Sequence, residues 1–300
     1  MSSKLPLTDL LSTEGGSLCP VCGHLAEPRI ELPDYNLFHC ASCGCWSSDA
    51  LARGAATSFD PLHYFKNAAL DEDKWEALLA RFDRQGRSVR RVLDIGCGTG
   101  AFLGFLSRRL PGSERVGIEL DPDRAAQARR ADPDARIHVG DALASLASVE
   151  APFDLVTLWD VFEHVPAPAR LLEAMARLLT PSGAIYIQTI HERSVVPTMG
   201  RLLYRLTGGR ATSAARRTHE AHHLVFFTRE GLQTMAAVSG LRIQDLWFDR
   251  LEHARMDGNP LVIAATALLL RLENALGNGL FVNLILEPAP LEQTLKVLGT

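Results

Sequence analysis

The chain has 300 residues, of which 47% are hydrophobic and 22% are charged, a composition typical of a globular protein with one full core and a small additional module. Its formal net charge of −4 disfavours a protein that binds nucleic acid through its overall field. Residues 1–11 lack the apolar core of a secretory signal, and the most apolar stretch, residues 261–270, is shorter than the roughly 20 residues of a membrane-spanning helix. We therefore expect a cytoplasmic protein without a transmembrane segment.

Cysteines are concentrated near the N-terminus, where Cys19, Cys22, Cys40 and Cys43 form two C-x-x-C-G motifs. Such pairs supply the four thiolates of a tetrahedral zinc ion, and the glycine after each pair tolerates the backbone of a tight turn. In a chain expected to be cytoplasmic, this clustering favours a metal site over disulfides or unmetallated thiols. The sequence therefore predicts a ribbon whose Zn²⁺ is structural, because four protein ligands leave no position for water.

The predicted elements place this ribbon and the N-terminal segment in residues 1–55 and a second domain in residues 56–300. Trp75, Leu78, Leu79 and Phe82 share one helical face, and Gly86 ends that segment. Short apolar runs then alternate with helical segments, with strands predicted at residues 92–95, 116–120, 137–139, 155–159 and 185–190. This alternation predicts an α/β fold with a doubly wound, mostly parallel sheet.

The later part of the second domain departs from this alternation. A helix with the apolar stripe Leu171, Leu172, Met175, Leu178 and Leu179 is predicted to end at Thr180-Pro181-Ser182-Gly183. Residues 191–228 predict a lid insertion above the sheet, followed by a helix at residues 229–239. Two further strands, near residues 241–248 and 281–286 and separated by a helix at residues 261–276, bring the sheet to seven strands.

A glycine-rich turn follows the first strand of this domain. Gly96, Cys97, Gly98, Thr99 and Gly100 stand between that strand and a helix, which is the arrangement of a nucleotide site. The turn alone also satisfies the dinucleotide pattern G-x-G-x-x-[GA], so a nicotinamide-dependent oxidoreductase stays an alternative at this point.

Three acidic residues around the turn favour another family. Asp94 precedes the first glycine, Glu119 ends the second strand and Asp141 follows the third, and in this the chain resembles the class I S-adenosylmethionine-dependent methyltransferases. The resemblance implies that Asp94 and the glycines hold the methionine part, that Glu119 binds the ribose hydroxyls and that Asp141 with Ala142 contacts adenine. The alternatives are a solvated strand end for Glu119 and a helix cap for Asp141. The implied cofactor-binding residues are Asp94, Gly96, Cys97, Gly98, Gly100, Glu119, Leu120, Asp141, Ala142 and Asp160.

The segments 153–156, 160–166 and 181–183 extend the resemblance, over residues 63–250, to the subgroup containing ubiquinone and menaquinone biosynthesis methyltransferases. In ubiquinone O-methyltransferases, positions similar to Asp160, Glu163 and His164 are proposed to hold a divalent metal. Here the first is an aspartate, one carbon shorter than the glutamate of that pattern. His223 resembles the histidine of an H-L-x-x-F-[ST] stretch close to the acceptor. Asp160, Glu163, His164 and His223 are therefore the catalytic candidates, and the alternative for His164 is packing against the sheet.

The function expected from these residues is methyl transfer to a small molecule or a glycan or lipid precursor, at oxygen, nitrogen or carbon. The alternatives are an RNA base methyltransferase that uses the ribbon for recognition and a non-catalytic scaffold. Arginines in the insertion, with no acidic residue among them, predict a phosphate-bearing acceptor; a solvated loop or a peripheral membrane contact is the alternative. These arginines are Arg201, Arg205, Arg210, Arg216 and Arg217. No oligomeric state is predicted.

Overall fold

The computed structural model describes residues 16–55, 71–249 and 260–290; the N-terminal segment 1–15 and the predicted start of the second domain, residues 56–70, lie outside them. Its strands are β1 (Ser17–Leu18), β2 (Leu25–Glu31), β3 (Asn36–Cys40), β4 (Trp46–Ser48), β5 (Arg91–Ile95), β6 (Glu114–Glu119), β7 (Arg136–Val139), β8 (Phe153–Trp159), β9 (Leu179–Ile190), β10 (Val225–Phe226), β11 (Leu241–Asp249) and β12 (Phe281–Pro288). Its α-helices are α1 (Glu72–Arg84), α2 (Ala101–Arg109), α3 (Pro122–Ala131), α4 (Ala142–Ser145), α5 (Pro168–Ala176), α6 (Val195–Leu206), α7 (Thr212–Thr218), α8 (Arg229–Val238) and α9 (Pro260–Ala275).

Seven strands form one large sheet in the order β11-β12-β9-β8-β5-β6-β7. The strands from β9 to β7 are parallel, and β12 is antiparallel to both of its neighbours. The prediction of a doubly wound, mostly parallel α/β sheet is confirmed. The order of the strands reverses between β5 and β8, so a crevice forms outside the carboxyl ends of these two strands, where ligands of such sheets bind.

Helix α1 follows the predicted apolar face, since Trp75, Leu78, Leu79 and Phe82 are all buried. The ring of Trp75 lies against Phe102 and Phe105 of α2, with ring centroids 5.5 and 5.4 Å apart. The helix ends just before Gly86, which has a φ of +67° that favours glycine. Burial of these rings fixes α1 and α2 beside the carboxyl end of β5.

The predicted end of the helix before β9 is wrong. Helix α5 stops at Ala176, and the turn-like residues 180–183 belong to β9. They form a bulge, because Phe153 pairs with Leu179 whereas Leu155 pairs with Ala184. A Cβ on Gly183 would lie 2.7 Å from the carbonyl oxygen of Phe153, so the glycine permits the close approach of the bulge to β8.

The second sheet is small and antiparallel, in the order β1-β2-β3-β4-β10. Strand β10 comes from the predicted insertion and pairs with β4 of the ribbon. The sheet of the ribbon is completed by β10, which lies beyond the predicted domain boundary at residue 55. That boundary therefore stays a prediction. Register places Phe38, Ser47 and Val225 in one row and His39, Trp46 and Phe226 in the next. Adjacent rows project to opposite faces of the sheet.

Thr228, two residues after β10, fastens the ribbon to helix α8. Its side chain is fully buried, and its hydroxyl donates to the carbonyl oxygen of Cys43 at 2.7 Å and accepts from the Gly231 amide at 3.1 Å. The Cys45 sulfur lies 3.5 Å from the same hydroxyl. A Cβ on Gly231 would collide with that sulfur. The ribbon and α8 are therefore in direct contact.

Among the described residues, no helix is both long and apolar enough to cross a membrane.

Replacing Thr228 with valine should lower the free energy of unfolding by about 2 kcal/mol, because a buried carbonyl and a buried amide lose their partner. Urea denaturation of the full chain measures this. Thr234→Val is the matched control, since that hydroxyl bonds a carbonyl of the same helix on its exposed side and its loss should change stability by less than about 0.5 kcal/mol. Equal stabilities for the two variants would contradict the anchoring role.

Candidate active site

The glycine-rich turn lies at the carboxyl end of β5. Gly96 has a φ of +71°, and a Cβ there would collide with Val161. Gly98, with a φ of +55°, directs its amide toward Glu119. The cofactor contact predicted for Gly100 stays a prediction, and the structure gives this glycine a packing role as well. A Cβ on Gly100 would lie 2.7 Å from the Ala128 Cα, so this glycine lets α2 pack closely on α3.

Glu119 ends β6 and is buried. Its two carboxylate oxygens accept hydrogen bonds from the Gly98 amide at 2.8 Å and from the Asp121 amide at 3.0 Å. Each oxygen keeps a further lone pair, so the carboxylate can still accept two hydroxyl donors. It is thus held in place before any ligand binds, and is not the solvated strand end considered as its alternative.

A cavity of about 260 Å³ opens beside Glu119. Leu120 is 71% exposed and forms an apolar part of its wall, and Asp141 and Ala142 line it as well. One oxygen of Asp141 accepts from the Ala144 amide at 2.9 Å, which caps α4. The cap and the cavity wall are therefore the same side chain, and the two roles considered for Asp141 are compatible.

A smaller cavity of about 80 Å³ adjoins the first, since Gly96, Gly98 and Trp159 line both. Asp94 and Cys97 contribute to its wall. Asp94 is buried and accepts from the Thr157 hydroxyl at 2.7 Å. Burial raises the pKa of Asp94 to about 7, and the nearby charge of Glu119 acts in the same direction. A bound cation would stabilise its ionised form.

Gln188 of β9 supplies a second acceptor to this smaller cavity. Its side-chain oxygen is buried and has no hydrogen-bond partner among the described residues, whereas its amide nitrogen donates to Asp160 at 2.9 Å. A buried acceptor without a donor is costly. The smaller cavity therefore suits a ligand group with N–H donors and a positive charge, such as an amino group.

Asp160 lies on the wall of the larger cavity, with a φ of +51°, which is uncommon for a residue other than glycine. The helical turn predicted for residues 160–164 is only a 3₁₀ turn over Phe162–His164, so Asp160 lies outside it. Its backbone amide donates to the Gln188 carbonyl at 3.1 Å. Two hydrogen bonds to one residue of β9 thus hold Asp160 in this conformation.

His164 also lines the larger cavity. Its Nδ1 lies 2.8 Å from the carbonyl oxygen of His222, and since a carbonyl only accepts, this contact favours a proton on Nδ1. Burial lowers the pKa of His164, against the opposing effects of the His222 carbonyl and of Asp160. The imidazole is therefore neutral near pH 7 and able to take up a proton.

Glu163 and His223 lie beside His164, and neither lines the cofactor cavities. Glu163 is buried and accepts from the Thr189 hydroxyl at 2.7 Å, and burial together with Asp160 raises its pKa to about 8. The rings of His223 and His164 are 4.8 Å apart. Burial lowers the pKa of His223 well below 6.5.

The predicted trio of Asp160, Glu163 and His164 is not brought together as a metal site in the described part of the chain. The ligand atoms that converge within 4.8 Å belong instead to Glu163, His164 and His223.

The remaining histidines of the insertion are buried elsewhere. His219 bonds Glu192 through Nε2 at 3.0 Å, and His191 packs against Phe248 with ring centroids 4.8 Å apart.

The arginines of the insertion do not converge on the cofactor cavities. Arg201 forms an ion pair with the buried Glu192, and Arg216 pairs with Asp34 at 2.8 Å. Arg201 and Arg205 line a separate cavity with His39 and Trp46 of the ribbon, and it shares no lining residue with either cofactor cavity. Arg210 and Arg217 are exposed.

The four predicted zinc ligands lie together. The sulfur atoms of Cys19 and Cys43 are 3.6 Å apart, those of Cys22 and Cys40 are 3.5 Å apart, and all four lie within 4.8 Å of one another. A tetrahedron with zinc–sulfur bonds of about 2.3 Å has edges of about 3.8 Å. The donor set and its spacing therefore fit a zinc ion.

Sequence reasoning missed several residues of the site, among them Trp75, Trp159, Gln188 and Pro166. Gln188 alone carried a signal, as a polar residue within an apolar strand. The others are apolar residues that the core could equally use.

The chain matches the family model described as Methyltransferase domain over residues 66–246, which is more than half of its length. It belongs to this methyltransferase family. Together with its relatives, this match identifies an S-adenosylmethionine-dependent methyltransferase and decides against a nicotinamide-dependent oxidoreductase.

Two relatives carry the name ubiquinone biosynthesis O-methyltransferase. The protein from Aeromonas salmonicida is 26% identical over 74% of this chain and 86% of its own length. The protein from Xylella fastidiosa (strain M23) is 36% identical, but the match covers 36% of this chain and 45% of that protein.

Solved structures show the same fold. A S-adenosylmethionine-dependent methyltransferase from Archaeoglobus fulgidus has a TM-score of 0.52 at 20% identity and covers 76% of this chain and 99% of that one. The plantazolicin methyltransferase BamL, solved with S-adenosylhomocysteine, has a TM-score of 0.52 at 16% identity and covers 75% of this chain and 86% of that one.

If Glu119 binds the ribose hydroxyls, Glu119→Ala should weaken S-adenosylhomocysteine binding by about 2 kcal/mol, the cost of losing charge-assisted hydrogen bonds. That corresponds to roughly 30-fold in Kd and is measured by titration calorimetry. Glu114→Ala is the control, because Glu114 begins the same strand and forms ion pairs with Arg91 and Arg136. An unchanged Kd in the Glu119 variant would refute this assignment.

Proposed function

We propose that this methyltransferase transfers a methyl group to a hydroxyl group of a small molecule that enters beside His164. The observation that carries the proposal is the position of His164 on the wall of the cofactor cavity, with Nδ1 facing the His222 carbonyl. The names of the relatives, which are O-methyltransferases, support oxygen as the methylated atom.

The two adjoining cavities fit S-adenosylmethionine, whose sulfonium supplies an electrophilic methyl group when it is bound. Glu119 would accept the ribose hydroxyls, and Leu120, Asp141 and Ala142 would contact adenine. Asp94 and the unpartnered oxygen of Gln188 would accept hydrogen bonds from the amino group. The positive charge of that amino group would offset the desolvation cost of ionised Asp94.

His164 would act as the general base. Its Nε2 accepts the proton of the acceptor hydroxyl while the oxygen electron pair forms a bond to the methyl carbon in place of the carbon–sulfur bond. Such a base contributes typically 10²–10⁴-fold, and alignment of the reactants in a cavity that excludes water contributes the rest. His223 and Glu163 would position the His164 ring. No step is assigned to a divalent metal, because Asp160 is hydrogen-bonded to Gln188 and lies outside the converging set.

Several finer expectations stay predictions. A phosphate-bearing acceptor, a glycan or lipid precursor, peripheral membrane contact and a cytoplasmic location have no support in the site beyond the sequence. The RNA alternative is disfavoured by the net charge of −4 and by relatives named for ubiquinone biosynthesis.

We further propose that Cys19, Cys22, Cys40 and Cys43 bind one structural Zn²⁺. Both halves of the set come from turns that begin or end ribbon strands, so the metal would link β1 and β2 to β3 and β4 and contribute to the folding energy of the module.

His164→Ala should reduce turnover by 100-fold or more and leave S-adenosylhomocysteine affinity unchanged within about twofold. The kcat of the unmodified enzyme should fall as the pH drops through the His164 pKa, below 6.5, because the base becomes protonated. Product formation from a panel of phenols, followed by mass spectrometry, measures this. The exposed His24 provides the control variant His24→Ala. Full turnover in His164→Ala would exclude His164 as the general base.

Metal analysis of the purified chain should find about one zinc per molecule. Cys40→Ser should lose the metal and unfold the ribbon, since metal binding stabilises it. Cys45→Ser is a matched control, because Cys45 is buried in the same module and bonds Thr228 but is not one of the four converging thiols. A folded, metal-free ribbon, or equal zinc loss from both variants, would exclude this site.

A further inference from the structure

We propose that the zinc ribbon forms one wall of the acceptor site, in a cavity that takes an uncharged acceptor with an apolar, ring-sized body. This inference rests on the proposed function and adds the acceptor class and the part of the chain that selects it.

A cavity of about 530 Å³ lies between the ribbon and the catalytic region, within the roughly 300–1,000 Å³ typical of small-molecule sites. Its ribbon wall includes the row of the small sheet that contains Phe38 and Val225, together with Leu18 and Leu51. Its catalytic wall includes Pro166 and Leu224. The residues of both walls are mostly apolar.

This cavity adjoins the cofactor cavity. Pro166 lines both, two residues after His164. On the other side, Leu224 directly follows His223, whose ring is 4.8 Å from that of His164, and the Leu224 amide donates to the Glu163 carbonyl at 2.8 Å. A molecule that lies against the ribbon and extends past Pro166 into the cofactor cavity would present a hydroxyl to His164.

The charges in the cavity are already neutralised. Arg53 and Asp49 both line it and pair with each other at 2.7 Å, and Asp49 also accepts from the Asn36 amide at 2.6 Å. Apart from this pair, the cavity has no charged lining residue among the described residues, so a phosphate there would have to compete with Asp49 for Arg53. The arginine-lined cavity adjoins the opposite row of the ribbon sheet, at His39 and Trp46.

Exposed leucines in the ribbon agree with this inference. Leu51 is 54% exposed and Leu18 is 45% exposed. Both line the cavity, so a ligand there could cover them. Burying such side chains against an apolar ligand would contribute about 25 cal/mol per Å² of apolar surface.

The test uses the full-length, zinc-loaded protein saturated with S-adenosylhomocysteine and the uncharged fluorophore N-phenyl-1-naphthylamine. Leu51→Asp should weaken binding of this probe at least tenfold. Leu272→Asp is the matched control, because Leu272 on α9 is 55% exposed and lines no part of the cavity. Equal effects of the two substitutions, or none from Leu51→Asp, would overturn the proposal.

A second measurement uses 4-hydroxybenzophenone, a two-ring phenol that crosslinks on illumination. Adducts should map to the ribbon wall and residues 224–225, and adducts confined to other leucine-rich surfaces would contradict the assignment. If this phenol is methylated, Leu51→Asp should raise its KM and leave the KM of S-adenosylmethionine unchanged. Adducts at the ribbon wall without methylation of any phenol would refute the proposed function alone, whereas methylation with an unchanged KM in Leu51→Asp would refute the ribbon wall alone.

Discussion

The pairing of β10 with β4 is the constraint on which the active-site region depends. It joins a segment 177 positions further along the chain to the edge of the ribbon, with Val225 opposite Ser47 and Phe226 opposite Trp46. Thr228 then bonds the Cys43 carbonyl, so the second cysteine turn and the start of α8 share one hydroxyl. Because β10 begins two residues after His223, the same pairing helps to position the His222 backbone carbonyl that faces Nδ1 of His164. The ribbon is thereby connected to the geometry of the His164 imidazole.

In and beside the cofactor cavities, burial makes ionised carboxyl groups costly, and a nearby positive charge can offset that cost. Asp94 and Glu163 are both buried carboxyls with raised pKa values, and each is held by one threonine hydroxyl from a neighbouring strand. Only Asp94 lines a cavity, so a ligand cation can relieve its desolvation, whereas Glu163 stays covered. The unpartnered oxygen of Gln188 is likewise costly to bury. The protein alone satisfies these polar groups poorly, and a ligand with hydrogen-bond donors would satisfy them.

The sequence predicted the sheet, the glycine turn and the four cysteines because each depends on local pattern. Apolar runs of strand length define β5, β6 and β8, and paired cysteines define the ribbon. What it could not predict depends on contacts between distant residues. Thr180 to Gly183 carry ordinary turn residues, and only pairing with β8 makes them a bulge. Gly100 has the same local signal as Gly96, and only the approach of α3 gives it a packing role. The sequence gives no reason to prefer His164 over His223 as the base. The structure distinguishes them, because His164 lines the cofactor cavity and His223 does not.

The edge pairing of the ribbon also has a consequence during protein synthesis. The ribbon strands and all four cysteines leave the ribosome well before β10 does, and at about 5–20 residues per second the delay between Ser48 and Val225 is about 10–35 s. Throughout that interval β4 has an unpaired edge, which is a template for pairing with other chains. Early binding of the proposed zinc ion would hold the nascent ribbon in its native register until β10 is synthesised and pairs with β4. If the proposed zinc ion binds there, newly made chains in a cell short of zinc would be vulnerable to aggregation before β10 is made.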